Sequence, residues 1–130
     1  MKTIQFNTIN LYKNAGHNAE YAVGQFFGIE ATPNNVPHTA GGDVLNYQVK
    51  SARATVCKGT DIDAYLAIDG ATEYIYVTNT FKGYVMNRDE WKEFVNRFGT
   101  ITRESKQNGG AEKIRLKSES REMLEYLAEA

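Results

Sequence analysis

The chain has 130 residues, 42% of them hydrophobic and 24% charged, with a formal net charge of −1. That size predicts one domain over residues 1–130, long enough to bury a core without disulfides or a structural metal. The composition argues against a membrane protein, since no apolar run approaches the ~20 residues a bilayer requires, and against a histone-like polycation, so a polyanionic partner needs a local basic patch.

The opening residues Met1-Lys2-Thr3-Ile4-Gln5-Phe6-Asn7 lack the apolar core and cleavage site of a secretory signal, and a cytoplasmic protein is expected. Cys57 is the single cysteine. It has no intrachain disulfide partner, in keeping with a reducing compartment, and reads as a small buried side chain.

Residues 4–12 alternate irregularly and predict a short edge strand or an arm. Over 14–28, Ala19, Ala22, Val23, Phe26 and Phe27 recur at three- and four-residue spacing, the stripe of an amphipathic helix that Gly28 ends. Glu20 lies beside that stripe. It is either a carboxylate held at the edge of a buried face or a surface residue favoured by the helix macrodipole. Residues 31–40 hold Pro33 and Pro37 with Asn34 and Asn35 between them and predict an ordered loop. His17 and His38 have no second His or Cys at a zinc-type spacing and read as ordinary polar residues.

Residues 41–50, Gly-Gly-Asp-Val-Leu-Asn-Tyr-Gln-Val-Lys, concentrate the candidate chemistry. On a strand, Gln48 and Lys50 point to one face, bringing an amide oxygen and an ammonium together. Were residues 43–48 one straight strand, Asp43 and Gln48 would lie about 17 Å apart on opposite faces. If the chain reverses near Leu45-Asn46, they become cross-strand neighbours with Cβ atoms about 5 Å apart. Only the reversed chain lets them share an ion.

The strand is expected to continue through residue 57, with a bend, until Lys58-Gly59-Thr60 breaks it. A short helix over 61–68 turns Ile62, Tyr65 and Leu66 inward, and runs at 73–78 and 84–86 form a hairpin through Asn79-Thr80-Phe81-Lys82-Gly83. Asn87 is a helix cap with Glu90 three residues on. Trp91, Phe94, Val95 and Phe98 make that helix's inner face, and Gly99 closes it. Strands at 100–104 and 112–117 flank a turn at 106–110, and a last helix begins near Glu119 with Met123, Leu124 and Leu127 inward. Lys113, Arg115 and Lys117 share one strand face, opposite Ile114 and Leu116. They are either phosphate contacts or the lysine-protected, solvated face of an edge strand.

The order helical Glu20, Gly-Gly-Asp43, Gln48-Val49-Lys50, Ser51 resembles the active site of the PD-(D/E)XK nuclease superfamily. Its pattern is an acidic residue on the first helix, an Asp at a strand end, and Glu, Asp or sometimes Gln two residues before a Lys on the paired strand. The strand, strand, helix order over 74–98 also resembles many small members, and the likeness spans residues 17–98. It implies an α/β fold, restriction-endonuclease-like, with a mixed central β-sheet flanked by helices. It implies a metal-dependent endonuclease acting on DNA, with Mg²⁺ as the cofactor and Mn²⁺ able to substitute, and is compatible with a homodimer.

By this resemblance Asp43 is the principal metal ligand. Gln48 and the Val49 carbonyl add oxygens, Glu20 binds a second ion or holds a metal-bound water, and Lys50 orients or deprotonates the attacking water. Ser51 and Arg53 join Lys113, Arg115 and Lys117 as candidate nucleic-acid contacts, Arg53 if a bulge returns it to the active face. The sequence departs from the pattern twice. Gly42 precedes Asp43 where the family has Pro, and Gln48 replaces a carboxylate, removing one negative charge. The second departure keeps open a non-cleaving module of the same fold that binds DNA or a protein.

Overall fold

The computed structural model describes residues 1–6, 15–28, 47–79, 82–103, 105, 107 and 109–129, with the backbone alone for 15–17 and 69. In chain order the elements are β1 (Lys2–Gln5), α1 (Ala15–Phe26), β2 (Tyr47–Lys50), β3 (Thr55–Lys58), α2 (Ile62–Asp69), β4 (Glu73–Val77), β5 (Lys82–Asn87), α3 (Arg88–Phe98), β6 (Gly99–Arg103), β7 (Glu112–Leu116) and α4 (Arg121–Glu129). Among the described residues they form a mixed α/β structure with a four-stranded sheet, β1-β5-β4-β2, and a three-stranded sheet, β3-β7-β6. No described helix is long and apolar enough to cross a membrane.

The four-stranded sheet is apolar on both faces, and its two faces use alternate residues. Ile75, Val77, Val85, Val49 and Ile4 pack with Ala19, Ala22 and Val23 of α1. Tyr74, Tyr76, Tyr84 and Met86 point the other way, into a core shared with α2, α3 and α4 and with Val56, Cys57 and Leu116 of the second sheet. Tyr74 stacks on Trp91 at 5.2 Å with 4° between the rings. Burying one such side chain contributes about 1.5–3 kcal/mol, whereas a one-residue slip would turn the whole tyrosine row away from α3. That difference fixes the antiparallel β4–β5 register, in which Tyr74 faces Met86 and Tyr76 faces Tyr84.

The hairpin joining β4 to β5 forms where expected, closed by the Thr78 N–H donating to the Lys82 carbonyl at 2.8 Å, although Thr80 and Phe81 lie outside the described residues. The predicted start of α3 also holds. Asn87 accepts from the Glu90 N–H at 2.8 Å, the Asn87 N–H donates to the Glu90 carboxylate at 3.0 Å, and Trp91, Phe94, Val95 and Phe98 are buried. In α2, Ile62 and Leu66 are buried as expected, with Asp61 capping the helix.

Three expectations need correction. Phe26, assigned to the buried stripe of the first helix, is 51% exposed, because it lies at the end of α1, where its ring meets Phe6 and Phe27 in edge contacts. The strand expected to run on to residue 57 is interrupted. Arg53 takes φ 64, the Ala54 N–H turns back to the Ser51 carbonyl at 3.2 Å, and β3 joins the other sheet.

Gly99 ends α3 as expected, but in an extended conformation, φ −85, and opens β6 directly. Its missing side chain serves close approach: a Cβ there would lie 2.5 Å from the Val95 carbonyl oxygen and 2.9 Å from Ile114 Cγ2. Finally, β7 is the central strand of its sheet, so an edge protected by lysines does not account for Lys113, Arg115 and Lys117.

Candidate functional site

β2 lies outermost among the described strands of its sheet and runs parallel to β4, with Gln48 opposite Tyr74, Val49 opposite Ile75 and Lys50 opposite Tyr76. Strand alternation sorts its side chains. Val49, 5% exposed, and Tyr47 pack on the α1 side, where Tyr47 stacks on Phe27 at 5.1 Å. Burial, and then the Glu73 carboxylate, push the Tyr47 phenol up from its ordinary value. Gln48 and Lys50 share the opposite face, both half-buried beside Tyr74 and Tyr76. The expected pairing of amide and ammonium on one face is present, and among the described residues Lys50 forms no ion pair.

Glu20 comes from α1. It is half-buried on that helix, whose Ala19, Ala22 and Val23 pack on the Val49 face of the sheet. Asp43, Gly41, Gly42, the reversal at Leu45-Asn46, Pro33, Pro37 and His38 lie outside the described residues, as does the side chain of His17. Among the described residues no three His, Cys, Asp or Glu side chains gather at metal-binding distance. The expected donors, Asp43, Gln48, the Val49 carbonyl and Glu20, are all oxygens, the chemistry that suits a hard cation such as Mg²⁺, with Gln48 neutral among them.

Beyond β2 the chain turns straight toward the second sheet. Ser51 is 5% exposed, with its carbonyl holding the turn, so it is a packed residue at the end of the strand. Arg53 is exposed at the apex, and its carbonyl accepts the Arg115 Nε–H at 2.7 Å. The Leu116 N–H donates to the Ala54 carbonyl at 2.9 Å. Two of the predicted nucleic-acid contacts, 62 residues apart, are thereby joined next to the Gln48-Lys50 strand. Lys58, which had no assigned role, lies opposite Lys113 in the β3–β7 pairing. Only strand pairing reveals it, because the β-bulge between Thr55 and Cys57 shifts the alternation that a sequence pattern would use.

Glu119, expected as a helix start, instead ties the end of β4 to the approach of α4. Its carboxylate accepts from the Tyr76 hydroxyl at 3.1 Å and from the Asn79 N–H at 3.2 Å. Burial pushes the Glu119 carboxyl up from its ordinary value, against the lowering effect of those two donors. The Tyr76 phenol is pushed far up by burial and by that same carboxylate and stays protonated. Because Tyr76 is the neighbour of Lys50, Glu119 is a carboxylate on the Gln48 and Lys50 side of the sheet, a placement no local pattern signals.

Comparison with protein-family models, with curated proteins and with solved structures returns no match to this chain.

Proposed function

We propose that the chain is a metal-dependent endonuclease of the PD-(D/E)XK type, restriction-endonuclease-like in fold, hydrolysing phosphodiester bonds in DNA at the β2 edge. The observation that carries this reading is the pair Gln48 and Lys50, side by side on one face of an outermost strand, with the ammonium in no ion pair among the described residues. A half-buried lysine in no ion pair with the described residues is suited to steer a proton or to meet charge growing on a phosphate.

Asp43, Gln48, the Val49 carbonyl and Glu20 would hold Mg²⁺, which when bound polarises the phosphate and acidifies water. Lys50 orients the attacking water or stabilises the charge developing on the phosphate. The turn at Arg53 and the Arg115 guanidinium beside it draw the DNA backbone toward this edge.

With Mg²⁺ or Mn²⁺, the purified full chain is expected to nick or linearise plasmid DNA. Lys50→Ala and Asp43→Ala are each expected to lose at least about 10²-fold in rate, the scale on which positioned acid–base and electrostatic groups act. Intact plasmid with every metal, or cleavage unchanged in both variants, would overturn the reading.

A second reading, a non-cleaving DNA-binding module of the same fold, is favoured by two features. Gln48 brings no charge to a cation, and α1, the helix of Glu20, packs on the face of the sheet opposite Gln48. It expects DNA binding that is indifferent to metal.

A further inference from the structure

The likeness to PD-(D/E)XK nucleases covers residues 17–98, yet the chain beyond it meets the sheet face that carries Gln48 and Lys50. After β7 the Lys117 N–H donates to the Phe98 carbonyl at 2.9 Å, and Ser120 Oγ accepts the Met123 N–H at 3.2 Å where α4 begins. Met123 and Leu127 of α4 are buried in the same core as Tyr76. The connection over 117–120 is thereby held at both ends, and the Glu119 side chain leaves it from a fixed point.

Glu119 Oε1 accepts both the Tyr76 hydroxyl, at 3.1 Å, and the Asn79 N–H, at 3.3 Å, and Oε2 accepts the same N–H at 3.2 Å. Tyr76 is 0% exposed, with Phe94 against its ring at 5.1 Å. Packing alone needs no hydroxyl there, since a phenylalanine ring fills nearly the same space and brings no polar group to satisfy. What the hydroxyl adds is direction, because a ring hydrogen-bonded at its tip keeps one orientation. Two strand neighbours flank that ring on the same face of the sheet, Tyr84 from β5 and Lys50 from β2.

We infer that Glu119 is a positioning residue for the β2-edge site, holding Tyr76 as the wall along which the Lys50 stem runs, an inference that rests on the proposal that Lys50 serves phosphodiester cleavage. Lys50 is half-buried, so its methylenes lie beside the tyrosine row while its ammonium emerges on the Gln48 face. A lysine stem is flexible, and a fixed wall removes part of that freedom from the group that must meet the reacting atoms. Misplacement of a reacting group by 1 Å can cost about 10²-fold in rate, so one fixed wall matters to the chemistry. The C-terminal segment is by this inference a brace for the site, and no proton or charge of the reaction passes through Glu119.

The test is NMR of the full chain labelled with ¹³C-lysine and kept in EDTA, with the Lys50 signals assigned by their loss in Lys50→Arg. An aromatic ring displaces the resonances of methylenes lying against it, so those of Lys50 are expected away from those of the exposed Lys58 and Lys117. Glu119→Ala should move them toward the exposed positions. Glu119→Gln keeps an oxygen that can accept both donors and should leave them in place. Tyr76→Phe, which removes only the hydroxyl, supplies the same comparison should Glu119→Ala not fold. On plasmid with Mg²⁺, Glu119→Ala and Tyr76→Phe are each expected to lower kcat by about tenfold or more with KM within about twofold, the double variant to lose no more than either, and Glu119→Gln to keep the wild-type kcat.

Lys50 signals that coincide with those of the exposed lysines in the wild type, or that stay in place in both Glu119→Ala and Tyr76→Phe, would overturn the inference, as would a Glu119→Gln variant as slow as Glu119→Ala. Because the NMR is read without metal or DNA, the two proposals fail separately. Lys50 signals that move as described in a chain that never cuts refute the nuclease and support the tie from Glu119 to Lys50, whereas a cutting chain whose kcat is the same in both variants refutes the positioning role alone.

Discussion

Glu119 carries more of the structure than its place before a helix announces. Its carboxylate is held at 3.1 Å by the Tyr76 hydroxyl and at 3.2 Å by the Asn79 N–H, and burial raises its pKa above the ordinary value of 4.5. The folded state then binds that proton more tightly than the unfolded chain. Stability therefore falls as pH rises from 4.5 through the raised value, and stays at the lower level above it. Gln at this position keeps an acceptor oxygen without the charge, so Glu119→Gln is expected to remove that decline. Urea midpoints measured across this pH range should converge for wild type and variant at the acid end and diverge above it. Parallel profiles would show that Glu119 does not couple to folding in this way.

At the scale of elements, the junction between α3 and β6 is the tightest point described. Gly99 must pass under Val95 and against Ile114, and a methyl group would meet a backbone oxygen 2.5 Å away, which no rotamer change relieves. Gly99→Ala is expected to destabilise the fold by roughly 2–3 kcal/mol in urea denaturation, although φ −85 is comfortable for alanine. A loss under about 0.5 kcal/mol would mean that the junction yields more easily than the packing implies.

Sequence shows where this helix begins and ends because its signals are local: the Asn87 and Glu90 cap, the Trp91, Phe94, Val95 and Phe98 stripe, and a glycine. It does not show why the glycine is needed, since Ile114 arrives from a strand that follows it in the chain. The break after β2 is hidden for a related reason. Arg53 in a left-handed conformation is a choice that side-chain type does not announce, and tertiary hydrogen bonds from Arg115 and Leu116 hold the turn.

For the molecule as a whole, strand pairing decides what the candidate surfaces are. Alternation alone placed Gln48 with Lys50, and Lys113 with Arg115, because faces follow from period-two geometry. Alternation cannot tell a central strand from an edge, and β7 proves central, with Lys58 of β3 opposite its Lys113. Nor can it tell which face a helix covers. Glu20 reads as a partner of Gln48 in sequence order, yet α1 lies across the sheet from it.

The central claim is that the β2 edge holds a metal between Asp43 and Gln48 with Lys50 beside it. A crystal structure of the full chain soaked in Mn²⁺ tests this most directly through the anomalous signal of the ion. The claim predicts a peak within about 2.5 Å of oxygens from both Asp43 and Gln48, with the Lys50 ammonium in reach of a metal-bound water. An ordered Asp43 many ångströms from Gln48, with no peak at that edge, would contradict it.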